Sequence, residues 1–95
     1  MNLDNWIKTG KYFKFQEKYR IFYKEDGEGE VLLCIHGFPT CSWDWHRIWP
    51  YLIEKFRVIA IDMIGFGYSD KSKKYDYAIA NQADLHELLL KNMNI

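Results

Sequence analysis

Apolar positions along the chain recur with two different periods, and each change of period marks the boundary between two kinds of element. Tyr12–Gln16 alternates aromatic and polar residues, with Phe13 and Phe15 on one face, and Tyr19–Tyr23 is a second aromatic and β-branched run. Both predict strands. Glu17-Lys18 between them fits a two-residue hairpin link, although neither residue favours the positive φ that such turns need. A polar loop, Glu25–Glu30, carries Gly27 and Gly29 and leads into Val31-Leu32-Leu33-Cys34-Ile35. That unbroken apolar run predicts a strand buried on both faces, as in a parallel sheet. Gly37 and Pro39 stop it. Thr40 and Ser42 are both candidate helix N-caps. Trp45, Ile48, Trp49, Leu52 and Ile53 then fall at i, i+3, i+4, i+7 and i+8, the stripe of an amphipathic helix over Ser42–Ile53. Pro50 interrupts the stripe and predicts a kink or break near Trp49. Arg57–Ile61 is a second short apolar run and predicts a second parallel strand. Asp62–Asp70 is a glycine-punctuated loop, Lys71–Lys74 continues it with charge, and Ala78–Met93 has helical periodicity with Ala78, Leu85, Leu88 and Leu89 near one face. Residues 1–10 are weakly patterned. The predicted order is β-β-β-α-β-α, an antiparallel hairpin leading into a parallel sheet, and the class is α/β.

Composition narrows the partners more than the fold. A length of 95 residues allows one small domain, and 48% hydrophobic against 27% charged residues places it among globular chains. Thirteen basic and thirteen acidic residues cancel, which argues against nucleic acid or an anionic membrane as partner, since either needs a basic excess. Cys34 and Cys41 are too few for a disulfide framework, and Cys34 sits inside an apolar run. A reducing compartment follows, and with no basic n-region, no h-region and no apolar stretch of membrane-spanning length the expected location is cytoplasmic. Aromatic content of 18% suits either bulky packing or an apolar pocket wall and leaves both open.

Candidate chemistry gathers at two loops, each after a predicted parallel strand. The first is His36-Gly37-Phe38-Pro39-Thr40 and the second Asp62-Met63-Ile64-Gly65-Phe66-Gly67-Tyr68-Ser69-Asp70. A dinucleotide fingerprint fails in the second, because Asp70 occupies the third glycine position. Ser69 does not make a nucleophile elbow either: Lys71 stands where the second glycine belongs, and the strand ends well before, at Ile61. His36, His46 and His86 lie on different elements and, with the two cysteines, show no metal-ligand spacing. His46 is expected on a helix surface and His86 at an edge of the apolar stripe. Trp43, Trp45 and Trp49 are expected mainly in the core, although Trp43, near the turn, could face a pocket.

Taken together, His36-Gly37-Phe38-Pro39-Thr40, Trp45, Ile48-Trp49-Pro50, Arg57–Asp62 and Gly65-Phe66-Gly67-Tyr68-Ser69-Asp70-Lys71 resemble the epoxide hydrolase and haloalkane dehalogenase branch of the α/β-hydrolase fold. The mesoderm-specific transcript-like hydrolases are the nearest in pattern. The resemblance runs from about Tyr19 to Ile95. It implies the N-terminal portion of that fold, residues 1–95 forming a partial domain that stops before the nucleophile strand. It implies that the backbone N–H of Phe38 is an oxyanion-hole donor, with His36, Gly37 and Pro39 shaping the turn. Gly37 would permit a close backbone approach, and the Phe38–Pro39 peptide is expected cis. Asp62 lies where a hydrogen bond could hold the His36 turn, and Gly65 and Gly67 shape its loop. Arg57–Ile61 is expected between the second and third strands, joined to Val31–Ile35 by a right-handed crossover.

In function, the resemblance implies part of a hydrolase acting on an ester or epoxide through a covalent intermediate, with no cofactor and no metal. Nucleophile, acid and base are not among these residues, so the isolated chain is expected to be inactive. Phe38 stands where haloalkane dehalogenases carry a halide-binding Asn, which favours an epoxide or carboxylic ester as substrate. The competing expectation is a non-catalytic short chain that binds a partner polypeptide. In the isolated chain, without the nucleophile strand that the parent fold sets beside it, Val31–Ile35 is expected to have a bare sheet edge open to association.

Overall fold

A computed structural model describes residues 2–37, 40–72, 77 and 79–95. Its elements are α1 (Leu3–Lys8), β1 (Lys11–Phe15), β2 (Tyr19–Asp26), β3 (Glu30–Ile35), a 3₁₀ helix (Ser42–Trp45), α2 (Trp49–Leu52), β4 (Phe56–Ile61) and α3 (Ile79–Asn92). The four strands form one mixed sheet in the order β1-β2-β4-β3. β1 and β2 pair antiparallel, β2 and β4 antiparallel, and β3 and β4 parallel in the register Ile35↔Ile61. The fourth strand therefore sits between the second and third, as the resemblance implies.

The alternation of side chains along β2 and β4 divides the core into two layers. Ile21, Ile59 and Ile61 face one way and bury against Leu85 and Leu89 of α3. Phe22, Val58 and Ala60 face the other way, against Trp6 of α1 and Trp49 of α2. α3 thus covers one face, while α1, α2 and the 3₁₀ helix cover the other. The interrupted stripe at 42–53 forms two short helices, with Pro50 in the first turn of the second, where its missing N–H has no helical partner to lose. Cys34 and Cys41 are both free. Among the described residues no helix is long and apolar enough to cross a membrane.

Three expectations change. First, α1 is a helix that the weak patterning of residues 1–10 does not reveal. Asn2 caps it by accepting from Asn5 N–H at 2.8 Å, and its one buried residue, Trp6, is fully enclosed. Secondly, β3 is not buried on both faces. It ends the sheet, so only Cys34 is buried, while Val31 is 39% and Ile35 52% exposed.

Thirdly, the hairpin turn is centred one residue earlier than Glu17-Lys18. Lys18 N–H donates to Phe15 O, and the two residues between carry positive φ, 55° at Gln16 and 56° at Glu17. Primed turns of this kind match the strand twist, but L side chains resist the left-handed region. Replacing exposed Gln16-Glu17 by Asn-Gly is therefore expected to raise stability by about 1 kcal/mol, or some 4–8 °C in Tm. Thermal unfolding followed by circular dichroism checks this.

Candidate functional site

β3 and β4 are adjacent and parallel, so the loops that follow them leave the same end of the sheet side by side. That end is where open α/β sheets bind ligands. His36, 3% exposed, follows β3 directly. Its Nε2 accepts the backbone N–H of Met63 at 3.0 Å, which leaves the ring proton on Nδ1, 2.7 Å from Gly37 O. The ring also meets Phe66 edge-on, at 5.4 Å between centroids. Thr40 N–H donates to Gly37 O at 3.1 Å, so the residues on either side of Phe38-Pro39 are tied together. Phe38 and Pro39 themselves, and with them the expected oxyanion donor and the expected cis peptide, lie outside the described residues.

Asp62 is wholly buried. Its Oδ1 accepts from Ser42 N–H at 2.7 Å and its Oδ2 from Tyr68 N–H at 2.8 Å. The bond to the His36 turn expected from Asp62 comes instead from the next residue, through Met63 N–H. The Asp62 carboxylate holds the start of the 3₁₀ helix, where neither Thr40 nor Ser42 supplies a side-chain cap. Gly67 makes room for it: with φ +52°, a Cβ there would lie 2.3 Å from Asp62 Oδ2. At Gly37, by contrast, a Cβ would meet nothing within 4 Å among the described residues.

Ser69 and Asp70 are structural pins. Ser69 Oγ accepts from Phe22 N–H at 2.9 Å and donates to Asp62 O. Asp70 Oδ2 accepts from Arg20 N–H at 2.8 Å, and Asp70 N–H donates to Arg20 O at 2.8 Å. Together with the Asp62 N–H to Phe22 O bond, these contacts stand in for a strand partner along the first half of β2. A buried hydroxyl fully engaged in this way is not an available nucleophile.

The remaining histidines are separate from this pair of loops. His46 stacks on Trp43 at 3.7 Å between centroids, its Nδ1 bonded to Trp43 O. His86 lies on the buried side of α3, with Nδ1 2.9 Å from Gln82 O. Its Nε2 and Gln82 Oε1 are buried with no hydrogen-bond partner among the described residues. The same residues include no group of His, Cys, Asp and Glu that would hold a metal ion.

Burial, reinforced by the charge on His36 and partly offset by the bond to Gln82 O, pushes His86 below the usual 6.5. With the folded value lower than the unfolded one, the stabilisation is complete above pH 6.5 and is lost as pH falls through the folded value. Unfolding free energy measured against pH should therefore decline below about 6.5. In His86→Gln that part of the decline should disappear; an unchanged slope would remove His86 as its source.

Residues 30–95 match the family model described as alpha/beta hydrolase fold. The chain is 42% identical to the human mesoderm-specific transcript homolog protein over 98% of its own length. It is 37% identical to a haloalkane dehalogenase of Sphingobium indicum over 80% of its length. It superposes on an epoxide hydrolase, CorEH, with a TM-score of 0.83 at 29% identity, over 90% of this chain. It spans 29% of the length of the human relative, 27% of the dehalogenase and 29% of the epoxide hydrolase chain.

Proposed function

Since the chain belongs to the α/β-hydrolase fold family, we propose that it supplies the oxyanion side of a hydrolase acting on an ester or epoxide through a covalent intermediate. The observation that carries this reading is the pairing of two loops at the carboxyl ends of β3 and β4. The His36–Met63 and Asp62–Ser42 bonds fix them to each other. A donor on the first loop would thereby be held on a rigid frame. Fixed donors in a site without water are worth most where negative charge develops in the transition state. Phe38 N–H is assigned that role, and His36 orients the turn through its ring bonds to Gly37 O and Met63 N–H. Nucleophile, acid and base come from polypeptide beyond these residues.

Two measurements test the reading. The purified 95-residue chain should turn over neither activated esters nor simple epoxides above background, and turnover by it alone overturns the proposal. In the polypeptide translated on through the Ile95 codon, Phe38→Ala keeps the backbone N–H and should retain activity. Phe38→Pro removes that N–H and should lower kcat by about 10²–10³-fold. Equal losses in the two variants would assign the effect to the Phe38 side chain instead. A stop codon directly after Ile95 would favour the other reading, a short chain that binds a partner polypeptide.

A further inference from the structure

We propose that Gln82, on α3, is a positioning residue for the oxyanion turn, acting by locking the loop that holds His36. Its effect on catalysis rests on the hydrolase reading above; its effect on His36 does not.

The turn Met63–Phe66 is the centre of this lock. Phe66 N–H donates to Met63 O at 2.9 Å. Gly65, third of the four residues, has φ +91°, and Ile64 before it is not among the residues with positive φ. That combination is a type II turn. Types I and II differ mainly in which way the central peptide points, here the one joining Ile64 to Gly65. Gln82 Nε2–H donates to Ile64 O, the carbonyl of that peptide, at 3.1 Å. The Ile64 side chain is fully buried in the same core layer as Leu85 and Leu89, one and two turns farther along α3. α3 thus grips the turn by a side chain and by a carbonyl. The Tyr77 ring lies close against the same peptide, since a Cβ at Gly65 would be 2.7 Å from Tyr77 Cε1.

The buried Gln82 amide has one workable orientation. With Nε2 on Ile64 O, its Oε1 is left without a hydrogen-bond partner among the described residues. Swapping the two would set one acceptor against another and leave Ile64 O without a donor. An apolar side chain of the same length would bury no orphan oxygen, so what glutamine adds here is the bond to the turn.

The turn, for its part, holds His36. Its first residue, Met63, donates N–H to His36 Nε2 at 3.0 Å, and its fourth, Phe66, meets the ring edge-on at 5.4 Å. His36 Nδ1 lies 2.7 Å from Gly37 O. That oxygen and the Phe38 N–H belong to one planar peptide, so holding the oxygen sets the direction of the N–H. A continuous series of contacts therefore links α3 to the donor assigned above.

Gln82→Met removes the amide and keeps the length of the side chain. Leu89→Ala is the comparison, because it loosens α3 against the same layer without touching the turn. Both are studied below their melting temperatures, with folding checked by circular dichroism. In Gln82→Met the Met63 amide should exchange about tenfold faster than in Leu89→Ala, as expected for one lost hydrogen bond. The NMR shifts of the His36 ring nitrogens should move in Gln82→Met and keep their wild-type values in Leu89→Ala. Gln82→Asn, whose amide falls one methylene short of Ile64 O, should move the same signals and secures the test if the methionine variant does not fold. In the polypeptide translated on through the Ile95 codon, kcat should fall about tenfold in Gln82→Met with KM unchanged, and stay near wild type in Leu89→Ala. Unmoved His36 shifts and Met63 exchange in the Gln82 variants overturn the proposal. Equal changes in Leu89→Ala also overturn it, since Gln82 would then be a packing residue like its neighbours on α3. Moved His36 signals with an unchanged kcat would confirm the lock and overturn instead the role given to Phe38.

Discussion

Asp62→Ala is expected to lower stability by about 3–5 kcal/mol, a large part of what a domain of this size possesses. The carboxylate is wholly buried, and its two oxygens answer the N–H groups of Ser42 and Tyr68. Hydrogen bonds to a charged acceptor contribute about 1.5–3 kcal/mol each, and their removal leaves donors unpaired inside the protein. The loss should appear as a fall in Tm on the order of 20 °C. Asp62→Asn keeps one acceptor and sets an amide N–H₂ against the other donor, so its cost should be smaller. Amide exchange read by NMR should accelerate at Ser42 and Tyr68 in both variants. A Tm within a few degrees of wild type would show that the two loops are held by something other than this carboxylate.

Trp6→Ala should cost a similar amount, about 3–5 kcal/mol, as expected for emptying a fully buried aromatic site. Trp6 meets Trp43 and Trp49 edge-on, with centroids 5.6 and 5.0 Å away, and donates its Nε1–H to Ser42 Oγ at 3.1 Å. Lys24 lies over the ring at 4.9 Å and reaches Thr9 Oγ1. Burial pushes the Lys24 ammonium down from its usual value, and the charge of Asp26 pulls part of the way back. Without the indole face this buried cation keeps Thr9 but loses its π contact. Trp6→Phe keeps one ring in the cluster but loses the bond to Ser42 and the volume of the fused ring, so it should cost less than Trp6→Ala, about 1–3 kcal/mol. Chemical denaturation of the two variants separates these contributions, and a mild Trp6→Ala would mean that α1 is dispensable.

How far the sequence could be read depended on the range over which each feature is determined. The β1–β2 hairpin and β4 show in the pattern because their alternation or apolar run is local and at least five residues long. The strand order followed from the resemblance, and no periodicity encodes it. α1 was not legible because a six-residue helix with one buried position shows no period. Its traces are Asn2 at the cap, Asp4 in the first turn, Lys8 in the last and Gly10 beyond. The apolar run of β3 signalled a buried strand, but exposure there depends on what lies beside it, which no local pattern contains. At the site, His36 and Asp62 were found from their places after apolar runs. Their partners were not, because Met63, Ser42 and Tyr68 are brought to them by the parallel pairing of β3 and β4. The roles of Ser69 and Asp70 were hidden for the same reason, since β2 lies some fifty residues upstream.

The strand order has a consequence for the chain as it is made. β1 and β2 can pair as soon as both have left the ribosome, because they are neighbours in sequence and in space. β3 is made next, yet its partner among the described strands is β4, which comes later. At about 5–20 residues per second, the stretch from Ile35 to Ile61 takes on the order of one to five seconds to synthesise. Throughout that interval Val31–Ile35 is an apolar segment with nothing to pair with. The nascent chain therefore passes through a stage in which an apolar strand is exposed before its neighbour β4 has been made.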